Sequence, residues 1–544
     1  MLEWFFKSAG RSNAESSPAS VAMQHHRAGR LAQAEAAYRG ILADDPQNID
    51  ALHLLGVVAH QGGKHAQAAE LITRSLSLNA ANAAAHSNLG VVLAAQGKFT
   101  TAIASFRQAL ALQPGFADAY FGLGNALRDH GRREDAVACL QQALALKPDF
   151  AQAHCNLGIM LEDQGRSDEA IACYRKALAL DRDFAPALAN LGNSLIALGR
   201  LDEAEASLRQ ALRLLPDIAH AEFSLGQLKL LQGDYEAGFP LYEQRFEKNA
   251  LSPFYSGLQG RMAAFQGAPR WRGENASGKT LLVWTEQGLG DNLMLLRYLP
   301  LLKGRGAARL IVYADSALVR LVQSIADVDE VIPRSRPLPF GQFDLHCPIM
   351  SLPLALGTRA TTIPHKVPYV FVPEEIRQRW RQRLAGVATP RIGLAWSGGA
   401  LYPKNPARSV RLEQFFPLLE IAGARFVSLQ KGEQADQLKE MGPAMVDWMG
   451  ECDDLVDTAA LMAQLDLVIT VDTAVAHLAG ALGRPVWMLN RFESEWRWLL
   501  QREDSPWYPT MRIFRQRAAG RWDEVVARIA VELRGQIAAG RRLA

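Results

Sequence analysis

A 34-residue period governs the first half of this 544-residue chain. Six glycines recur at this spacing, each directly after a leucine: Gly56, Gly90, Gly124, Gly158, Gly192 and Gly226. Seven residues after each comes a second glycine, such as Gly63, and sixteen residues after each comes a large apolar residue, such as Ile72. Because a fixed period of this length is the signature of stacked structural repeats, we expect a two-helix unit repeated along a solenoid.

Seven such units fit between residues 21 and 250, with Ala22 standing where the earliest unit would have its first glycine. The pattern resembles the tetratricopeptide repeat, in which each pair of antiparallel helices buries its apolar face only on its neighbours. The small first residue lets the two helices approach closely, and the second glycine lies in the turn between them. Prolines such as Pro114 and Pro148 then end the second helix, because proline cannot continue it.

Asparagine stands two positions before three of the repeat glycines, at Asn88, Asn156 and Asn190. The array resembles that of the O-linked N-acetylglucosamine transferases, where an asparagine ladder in the groove holds protein substrate. The resemblance implies that the three amides clamp an extended peptide backbone through their donors and acceptors. The alternative is that they are polar residues tolerated on an exposed face.

Composition and charge narrow the class of protein. Hydrophobic residues make up 49% of the chain and charged residues 21%, as in soluble globular proteins. The net charge of +3 and the lack of a basic block argue against a nucleic-acid partner. The five cysteines form no C-x-x-C pair, so neither a metal site nor a disulfide framework is expected. The N-terminus does not resemble a signal peptide, and no apolar stretch reaches the roughly 18 residues of a membrane span, so we expect a cytoplasmic protein.

The second half changes its period. After residue 250 the repeat pattern decays into a stretch rich in glycine, serine, proline and aromatic residues. From Lys279 onwards, short apolar strands alternate with helical patterns, and the alternation restarts at Arg391. This order predicts parallel sheets with helices on both faces.

Two such lobes in tandem predict a cleft lined by the carboxyl ends of their strands. A dinucleotide fold is disfavoured because no third glycine follows Gly288 and Gly290 at the required place. The expected fold class is an α-helical solenoid followed by a two-lobed α/β region. Its predicted divisions are a flexible N-terminus at 1–20, the repeat solenoid at 21–250, a linker or docking segment at 251–278, a first Rossmann-like lobe at 279–375 and a second at 376–544.

Two stretches carry a second resemblance, EQGLGDNLMLLRYLPLL at 286–302 and DTAVAHLAGALGRPVWML at 472–489. They are similar to the heptosyltransferase-type glycosyltransferases of family nine, which have the two-lobed GT-B architecture. The best match is to bacterial proteins that fuse tetratricopeptide repeats to this catalytic region. The resemblance covers nearly the whole chain after residue 20. It implies a nucleotide-sugar donor held by the second lobe, with no further cofactor.

Asp291 lies in the Gly-Leu-Gly-Asp turn between the first strand and its helix. The family resemblance implies that this aspartate faces the cleft as the general base. Inverting glycosyl transfer needs such a base, because the acceptor hydroxyl must lose its proton as it attacks the anomeric carbon. The alternative is that Asp291 caps the helix beginning at Asn292, and both roles are compatible.

The stretch around residue 472 is predicted to hold the donor. It has the pattern of a strand, a tight turn and a helix, so the backbone N–H groups of Thr473 and Ala474 would point at a diphosphate from a helix N-terminus. His477, one turn further on, could add a hydrogen bond, and Asp472 could orient the turn or the sugar of the nucleotide. Heptosyl-type members have glycine where this chain has Ala474. The alternative for His477 is a core histidine with satisfied hydrogen bonds.

Cationic and polar residues follow two other strands of the second lobe: Lys404, Arg408, Ser409, Gln430 and Lys431. The departing diphosphate carries two negative charges that such side chains could stabilise without a metal, and no DxD motif stands among these residues, so metal dependence is not expected. Glu433 is a candidate contact for the ribose. The alternative is that these side chains are solvated loop residues.

Two functions remain open at the level of sequence. The leading one is an inverting, metal-independent glycosyltransferase whose repeat groove recruits an acceptor, expected to be a protein. The other is a tetratricopeptide-repeat interaction scaffold whose transferase region is inactive. The catalytic half has no counterpart to the histidine-bearing opening motif of O-linked N-acetylglucosamine transferases, so the repeats and the catalytic half resemble different families.

Overall fold

The computed structural model describes residues 17–246, 260, 262–265, 267–399, 405–441, 445–541 and 543. The chain divides into two compact units, Met1–Leu195 and Ile196–Ala544. The division falls inside the repeat region, so the last repeat helices belong to the second unit. Among the described residues, no helix is both long and apolar enough to cross a membrane.

The 34-residue period appears in the structure as successive pairs of helices. Between residues 17 and 246 the α-helices are Pro18–Arg27, Leu31–Asp44, Ile49–Gln61, His65–Leu78, Ala83–Ala95, Phe99–Leu112, Ala117–Asp129, Arg133–Leu146, Ala151–Asp163, Ser167–Leu180, Ala185–Ala197, Leu201–Leu214, Ala219–Leu231 and Tyr235–Tyr242. A short 3-10 helix, Glu243–Phe246, follows the last of them. The predicted helical repeat array is confirmed.

The first glycines of four repeats, Gly56, Gly90, Gly124 and Gly158, lie directly against the second helix of their unit. A Cβ atom added to Gly56 would lie 2.6 Å from Cγ1 of Ile72, and one added to Gly158 would lie 2.6 Å from Cε1 of Tyr174. Both separations are far below the 3.5–4.0 Å at which carbon atoms attract each other. The large residue sixteen positions later therefore packs directly on the glycine, and the predicted close approach of the helices is confirmed.

The second glycine of each repeat ends the first helix of the pair. Gly63 has a φ of +76°, a left-handed conformation that glycine adopts without steric penalty. Its N–H donates to the carbonyl of His60 at 2.9 Å, and the N–H of Lys64 donates to the carbonyl of Ala59 at 2.8 Å. These bonds satisfy carbonyls that the helix end leaves without partners, so the glycine is placed in the turn as predicted.

Two parallel sheets follow the repeats. The first contains four strands, β1 (Thr280–Trp284), β2 (Arg309–Ala314), β3 (Glu330–Pro333) and β4 (Leu345–Pro348), in the order β3-β2-β1-β4. The second contains five strands, β5 (Arg391–Ala395), β6 (Arg425–Ser428), β7 (Leu467–Val471), β8 (Val486–Asn490) and β9 (Met511–Arg515), in the order β6-β5-β7-β8-β9. Both confirm the predicted α/β region and are consistent with a GT-B architecture.

Helices connect the strands of both sheets. The α-helices described after residue 260 are Leu289–Leu295, Leu299–Lys303, Val319–Gln323, Leu352–Ala355, Glu374–Arg383, Asn405–Arg408, Phe416–Leu419, Gln437–Met441, Leu455–Met462, Ala474–Ala481 and Trp522–Ala538. Every residue of β7 and β8 is buried, as expected for central strands covered on both faces.

The strand order places a switch point in each sheet. In the first sheet the chain runs from β1 outwards to β2 and β3, and then returns to the other side of β1 as β4. In the second it runs from β5 to β6, and then returns to the other side of β5 as β7. Ligands of open parallel sheets bind beside the carboxyl ends of strands at such points. The loops after β1, β5 and β7 are therefore where a site is expected.

Candidate active site

The turn after β1 carries the candidate base at the start of the helix Leu289–Leu295, which we call the Asp291 helix. One carboxylate oxygen of Asp291, Oδ2, accepts a hydrogen bond from the N–H of Gly288 at 3.3 Å. The helix begins at Leu289 and not at Asn292, so Asp291 is its third residue and bonds back to the N-cap Gly288 instead of being the N-cap itself. Gln287 has a φ of +57°, which a residue with a side chain rarely adopts and which is often found at functional sites.

The other oxygen of Asp291 is engaged by a residue far away in the sequence. Oδ1 pairs with Nη2 of Arg497, and only 16% of the Asp291 side chain is exposed. Burial raises the pKa of Asp291 above its ordinary value of 3.8, while Arg497 and the Gly288 N–H act in the opposite direction. A raised carboxyl pKa is what a general base needs, whereas an ion pair restrains it.

The second part of the candidate site is the helix Ala474–Ala481, which follows β7 and which we call the His477 helix. Thr473 is its N-cap, with Oγ1 accepting a hydrogen bond from the N–H of Val475 at 3.2 Å. Thr473 is buried, whereas Ala474 and Val475 are half-buried. The first turn of the helix thus presents backbone N–H groups and a partial positive charge, as an anion site requires.

His477 is buried and faces polar groups on both sides of its ring. Nδ1 lies 2.9 Å from the hydroxyl of Tyr508, and Nε2 lies 3.9 Å from Oδ1 of Asp472. Burial lowers the pKa of His477 well below 6.5, so its ring is neutral at physiological pH. Burial also raises the pKa of Asp472, with the charge of Glu495 adding to the effect. A neutral imidazole can offer a hydrogen bond but not a charge.

The Asp291 helix and the His477 helix pack closely at a small residue, Gly290. A Cβ atom added to Gly290 would lie 2.6 Å from Cδ2 of His477 and 3.2 Å from its Nε2. Gly290 and Asp291 are adjacent, so the candidate base and the candidate donor residue are brought together across the two sheets. The two residues belong to separate predicted lobes, and the packing at Gly290 makes those two helices neighbours.

The Gly290→Ala variant is expected to destabilise the second unit by about 1–3 kcal/mol, because the new methyl group must displace the buried His477 ring. Urea unfolding followed by tryptophan fluorescence measures the change. Gly450→Ala is a matched control, since a Cβ atom there meets nothing within 4 Å. Equal stability of the two variants would contradict the close approach.

Gln430 joins the ends of two strands instead of standing free. Its Oε1 accepts from the N–H groups of Trp396 and Ser397 at 3.0 and 2.9 Å. Its Nε2 donates to the carbonyls of Ser397 and Lys431 at 3.1 and 3.0 Å. Four hydrogen bonds thus fix the loops after β5 and β6, so the structure places Gln430 as a support for the site. A direct phosphate contact by Gln430 stays a prediction.

The remaining predicted phosphate and ribose residues differ in position. Arg408 is half-buried, and its charge acts on both Asp472 and His477, so it lies near the His477 helix. Ser409 is half-buried, with its Oγ 2.9 Å from Oγ of Ser397. Lys431 and Glu433 are exposed, and Nζ of Lys431 donates to the carbonyl of Cys452 at 2.5 Å. Lys404 lies outside the described residues.

The three predicted groove asparagines each contact a side chain of the preceding repeat. The contacts join Nδ2 of Asn88 to Nε2 of His53 at 2.8 Å, Nδ2 of Asn156 to Oδ1 of Asn125 at 2.7 Å, and Nδ2 of Asn190 to Sγ of Cys155 at 3.6 Å. Asn88 is buried, while Asn156 and Asn190 are half-buried. The amides therefore link neighbouring repeats, and peptide binding by them stays a prediction.

Arg497 is the residue of this site that sequence analysis missed. It lies in a 3-10 helix, Trp496–Trp498, after β8, and its Nη1 pairs with Oε2 of Glu495. Trp496, Trp498 and the nearby Tyr508 are buried in the core. Among the described residues, no group of three or more His, Cys, Asp or Glu side chains is arranged to hold a metal ion.

The last repeat helix contacts the turn that carries Asp291. Tyr242 donates a hydrogen bond from its hydroxyl to Oε1 of Gln287 at 3.2 Å, and its ring lies 6.1 Å from that of Trp496. Phe239 of the same helix packs edge-on against Trp496 at 5.9 Å. The end of the repeat array is therefore part of the wall of the candidate site.

Comparison with known families agrees with both resemblances found in the sequence. Three tetratricopeptide-repeat family models match residues 24–83 and 121–183, residues 81–149, and residues 161–228. A model described as glycosyltransferase family 9 (heptosyltransferase) matches residues 431–516. The predicted combination of tetratricopeptide repeats with a family-nine glycosyltransferase region is confirmed. The family-nine match includes His477 and Arg497 but not Asp291, whose role stays a prediction.

Several proteins resemble parts of the chain. Protein FlbA of Caulobacter vibrioides is 29% identical over 290 residues, which are 49% of this chain and 48% of FlbA. The chain thus spans about half the length of this curated relative. Among solved structures, MamA is 28% identical with a TM-score of 0.27, covering 30% of this chain and 95% of MamA. The tetratricopeptide-repeat protein TTC0263 of Thermus thermophilus is 25% identical with a TM-score of 0.30, covering 34% of this chain and 99% of TTC0263.

Proposed function

We propose that this chain, a tetratricopeptide-repeat protein with a family-nine glycosyltransferase region, is an inverting, metal-independent glycosyltransferase that uses a nucleotide-sugar donor. One observation carries the proposal: the Asp291 helix packs on the His477 helix through Gly290. A carboxylate with a raised pKa and a helix N-terminus suited to a diphosphate then border the same place. These are the two groups that inverting transfer requires.

The reaction proceeds in one displacement. The acceptor oxygen forms a bond to the anomeric carbon while the bond from that carbon to the diphosphate breaks on the opposite face. The acceptor proton passes to Asp291, and the bonding electron pair leaves with the diphosphate. The first turn of the His477 helix and the Arg408 guanidinium stabilise the charge of the leaving group.

Metal independence rests on the cationic groups beside the donor position. Arg408 acts on Asp472 and His477, and the N-terminus of the His477 helix adds its own partial charge. Fixed donors of this kind stabilise a departing diphosphate in the place of a divalent ion. We also place the protein in the cytoplasm, because all five cysteines are free thiols, as in a reducing compartment.

The proposed acceptor is a protein held by the repeats. Two observations support this choice. The half-buried amides of Asn156 and Asn190 line successive repeats, where a peptide backbone could share their hydrogen-bonding groups. The last repeat helix touches the turn that carries Asp291 through Tyr242 and Gln287, both in the second unit.

Nucleotide sugars are expected to raise the thermal stability of the purified protein, since a ligand at 100 times its Kd adds about 2.7 kcal/mol to the folded state. Tryptophan fluorescence is suited to this measurement, because ten of the eleven tryptophans lie between Trp271 and Trp522, in the second unit. The stabilising nucleotide sugar, carrying a radiolabel, should then release nucleoside diphosphate and label acid-precipitable protein when acceptor extract is added.

The same experiment separates the proposal from the scaffold alternative. A scaffold with an inactive transferase region would be stabilised by no nucleotide sugar and would release no nucleoside diphosphate. Labelled product that is not protein would retain the transferase and overturn the protein acceptor. Full activity after exhaustive dialysis against a metal chelator is expected, and its loss would overturn metal independence.

A further inference from the structure

Arg497 is a buried guanidinium with an unusual set of partners. Its Nη2 pairs with Asp291 and its Nη1 with Glu495, while 9% of the side chain is exposed. The third nitrogen, Nε, is buried without a hydrogen-bond partner in the described part of the chain. A buried N–H of this kind has lost its hydrogen bonds to water without replacing them. A hydrogen bond to an acceptor that enters the site is therefore energetically favourable.

The charge of Arg497 reaches both halves of the candidate site. Besides its direct contact with Asp291, its charge influences the pKa of Asp472 and the pKa of His477. These two residues belong to the turn and the helix proposed to hold the diphosphate. Its guanidinium also lies 4.9 Å from the Trp496 ring centroid, which limits how far its stem can swing. The guanidinium thus contacts the base and acts electrostatically on residues of the turn and helix that would hold the diphosphate.

We propose that Arg497 binds the donor diphosphate, and that it restrains Asp291 only while the donor position is empty. This inference rests on the proposed glycosyltransferase function. Arginine matches phosphate oxygens through paired N–H groups, and a diphosphate brings more negative charge than one carboxylate. The diphosphate therefore takes the guanidinium from Asp291, whose freed oxygen accepts the proton of the acceptor hydroxyl. The electron pair of the breaking glycosidic bond leaves with the diphosphate that Arg497 now holds.

Two groups compete for one guanidinium in this arrangement, which gives opposite expectations for two variants. Arg497→Gln loses charge-assisted hydrogen bonds to phosphate, so nucleoside diphosphate should bind about 10–100 times more weakly. Asp291→Asn removes the competing carboxylate, so nucleoside diphosphate should bind at least as tightly as to the parent chain. A purely structural Asp291–Arg497 pair would weaken binding in both variants.

Isothermal titration of the full chain with the nucleoside diphosphate of the stabilising donor tests both expectations. Arg502→Gln is the matched control, because Arg502 lies in the same segment but pairs with the exposed Asp504. The Arg502→Gln variant should bind nucleoside diphosphate as tightly as the parent does. Equal binding by Arg497→Gln and the parent would overturn the inference while leaving the transferase proposal intact. Failure of the parent to bind any nucleoside diphosphate would overturn the transferase proposal first.

The second variant keeps the inference testable if the first does not fold. The fluorescence transition of Arg497→Gln shows whether the second unit remains folded. Where it does not, Asp291→Asn decides alone: binding as tight as the parent's or tighter supports the exchange of partners. Weaker binding would mean that Asp291 helps to hold the diphosphate, which overturns the exchange.

Discussion

The Asp291→Asn variant is expected to transfer sugar about 10²–10⁴ times more slowly than the parent, the contribution that a positioned general base makes. Asparagine keeps the size of the side chain and an oxygen that can accept from the Gly288 N–H, so the helix cap survives. It cannot take the proton of the acceptor hydroxyl. Initial rates of nucleoside diphosphate release with saturating donor and acceptor measure the loss.

Two controls separate lost chemistry from lost structure. The fluorescence transition of Asp291→Asn should remain cooperative, at a lower midpoint because Arg497 keeps only its Glu495 partner, and nucleoside diphosphate should still bind. Asp315→Asn is a matched substitution, because Asp315 also accepts from a backbone N–H at the start of a short helix, at 3.1 Å from the N–H of Ala317. Retention of transfer by Asp291→Asn would assign Asp291 to capping alone.

The pH dependence of the parent follows from the same carboxyl group. Only the deprotonated form of Asp291 accepts a proton, so the transfer rate falls as the pH drops through its pKa. Because burial raises that pKa, the acid limb of the rate should lie above the ordinary value of 3.8. In the Asp291→Asn variant this limb should disappear from the residual rate.

The repeat region shows what a sequence can predict well. The interaction of Gly56 with Ile72 joins residues sixteen positions apart, and the same spacing recurs in later units. Contacts within a short unit leave a regular spacing in the sequence, because every unit packs its two helices in the same way. The strands were predictable for a related reason, since buried parallel strands are short apolar runs.

The site was predicted only in part, because its central contact has no local pattern. Asp291 and Arg497 are joined by the packing of two sheets and the segment after β8, and no spacing in the sequence encodes that encounter. The available signal was a charged residue, Arg497, between two tryptophans, Trp496 and Trp498. An arginine flanked by buried aromatic residues is itself buried, and a buried charge needs a partner.

Polar residues near a site were harder to assign than its charged partners. Gln430 follows a strand end, as a ligand-binding residue would, yet its four hydrogen bonds hold the loop ends together. Asn88 has the predicted ladder position, yet His53 of the preceding repeat receives its N–H. Burial lowers the pKa of His53 to about 4, so its ring is neutral and can accept that bond. A side-chain amide can hydrogen-bond to a ligand or to a neighbouring loop equally well. The residue type alone therefore does not show which of the two it binds.

The Arg245→Met variant is expected to lower the free energy of unfolding of the second unit by about 3–5 kcal/mol, the cost of leaving a buried charge without its partner. Arg245 and Glu286 are both fully buried and form a paired contact, with nitrogen–oxygen distances of 2.9 and 3.1 Å. Methionine fills much of the same volume but leaves the Glu286 carboxylate uncompensated. Urea unfolding followed by tryptophan fluorescence measures the change.

The double variant Arg245→Met/Glu286→Gln tests that cause. Glutamine is neutral and can still accept from the N–H of Met350, which now bonds to Glu286 at 3.1 Å. The double variant should therefore recover much of the stability lost by Arg245→Met, whereas independent effects would add. Arg411→Met is the surface control, because its pair with Glu413 is exposed and should barely change the midpoint.

The same pair links stability to the catalytic turn. The backbone N–H of Glu286 donates to Oδ1 of Asn292 at 3.1 Å, so Glu286 and the Asp291 helix are held together at the point where β1 ends. Arg245 follows the last repeat helix, and thus the end of the repeat array fixes the residue that begins the turn. The double variant should regain stability without regaining full transfer, because the turn has lost its anchor. Full recovery of both would show that Arg245 stabilises the fold without positioning Asp291.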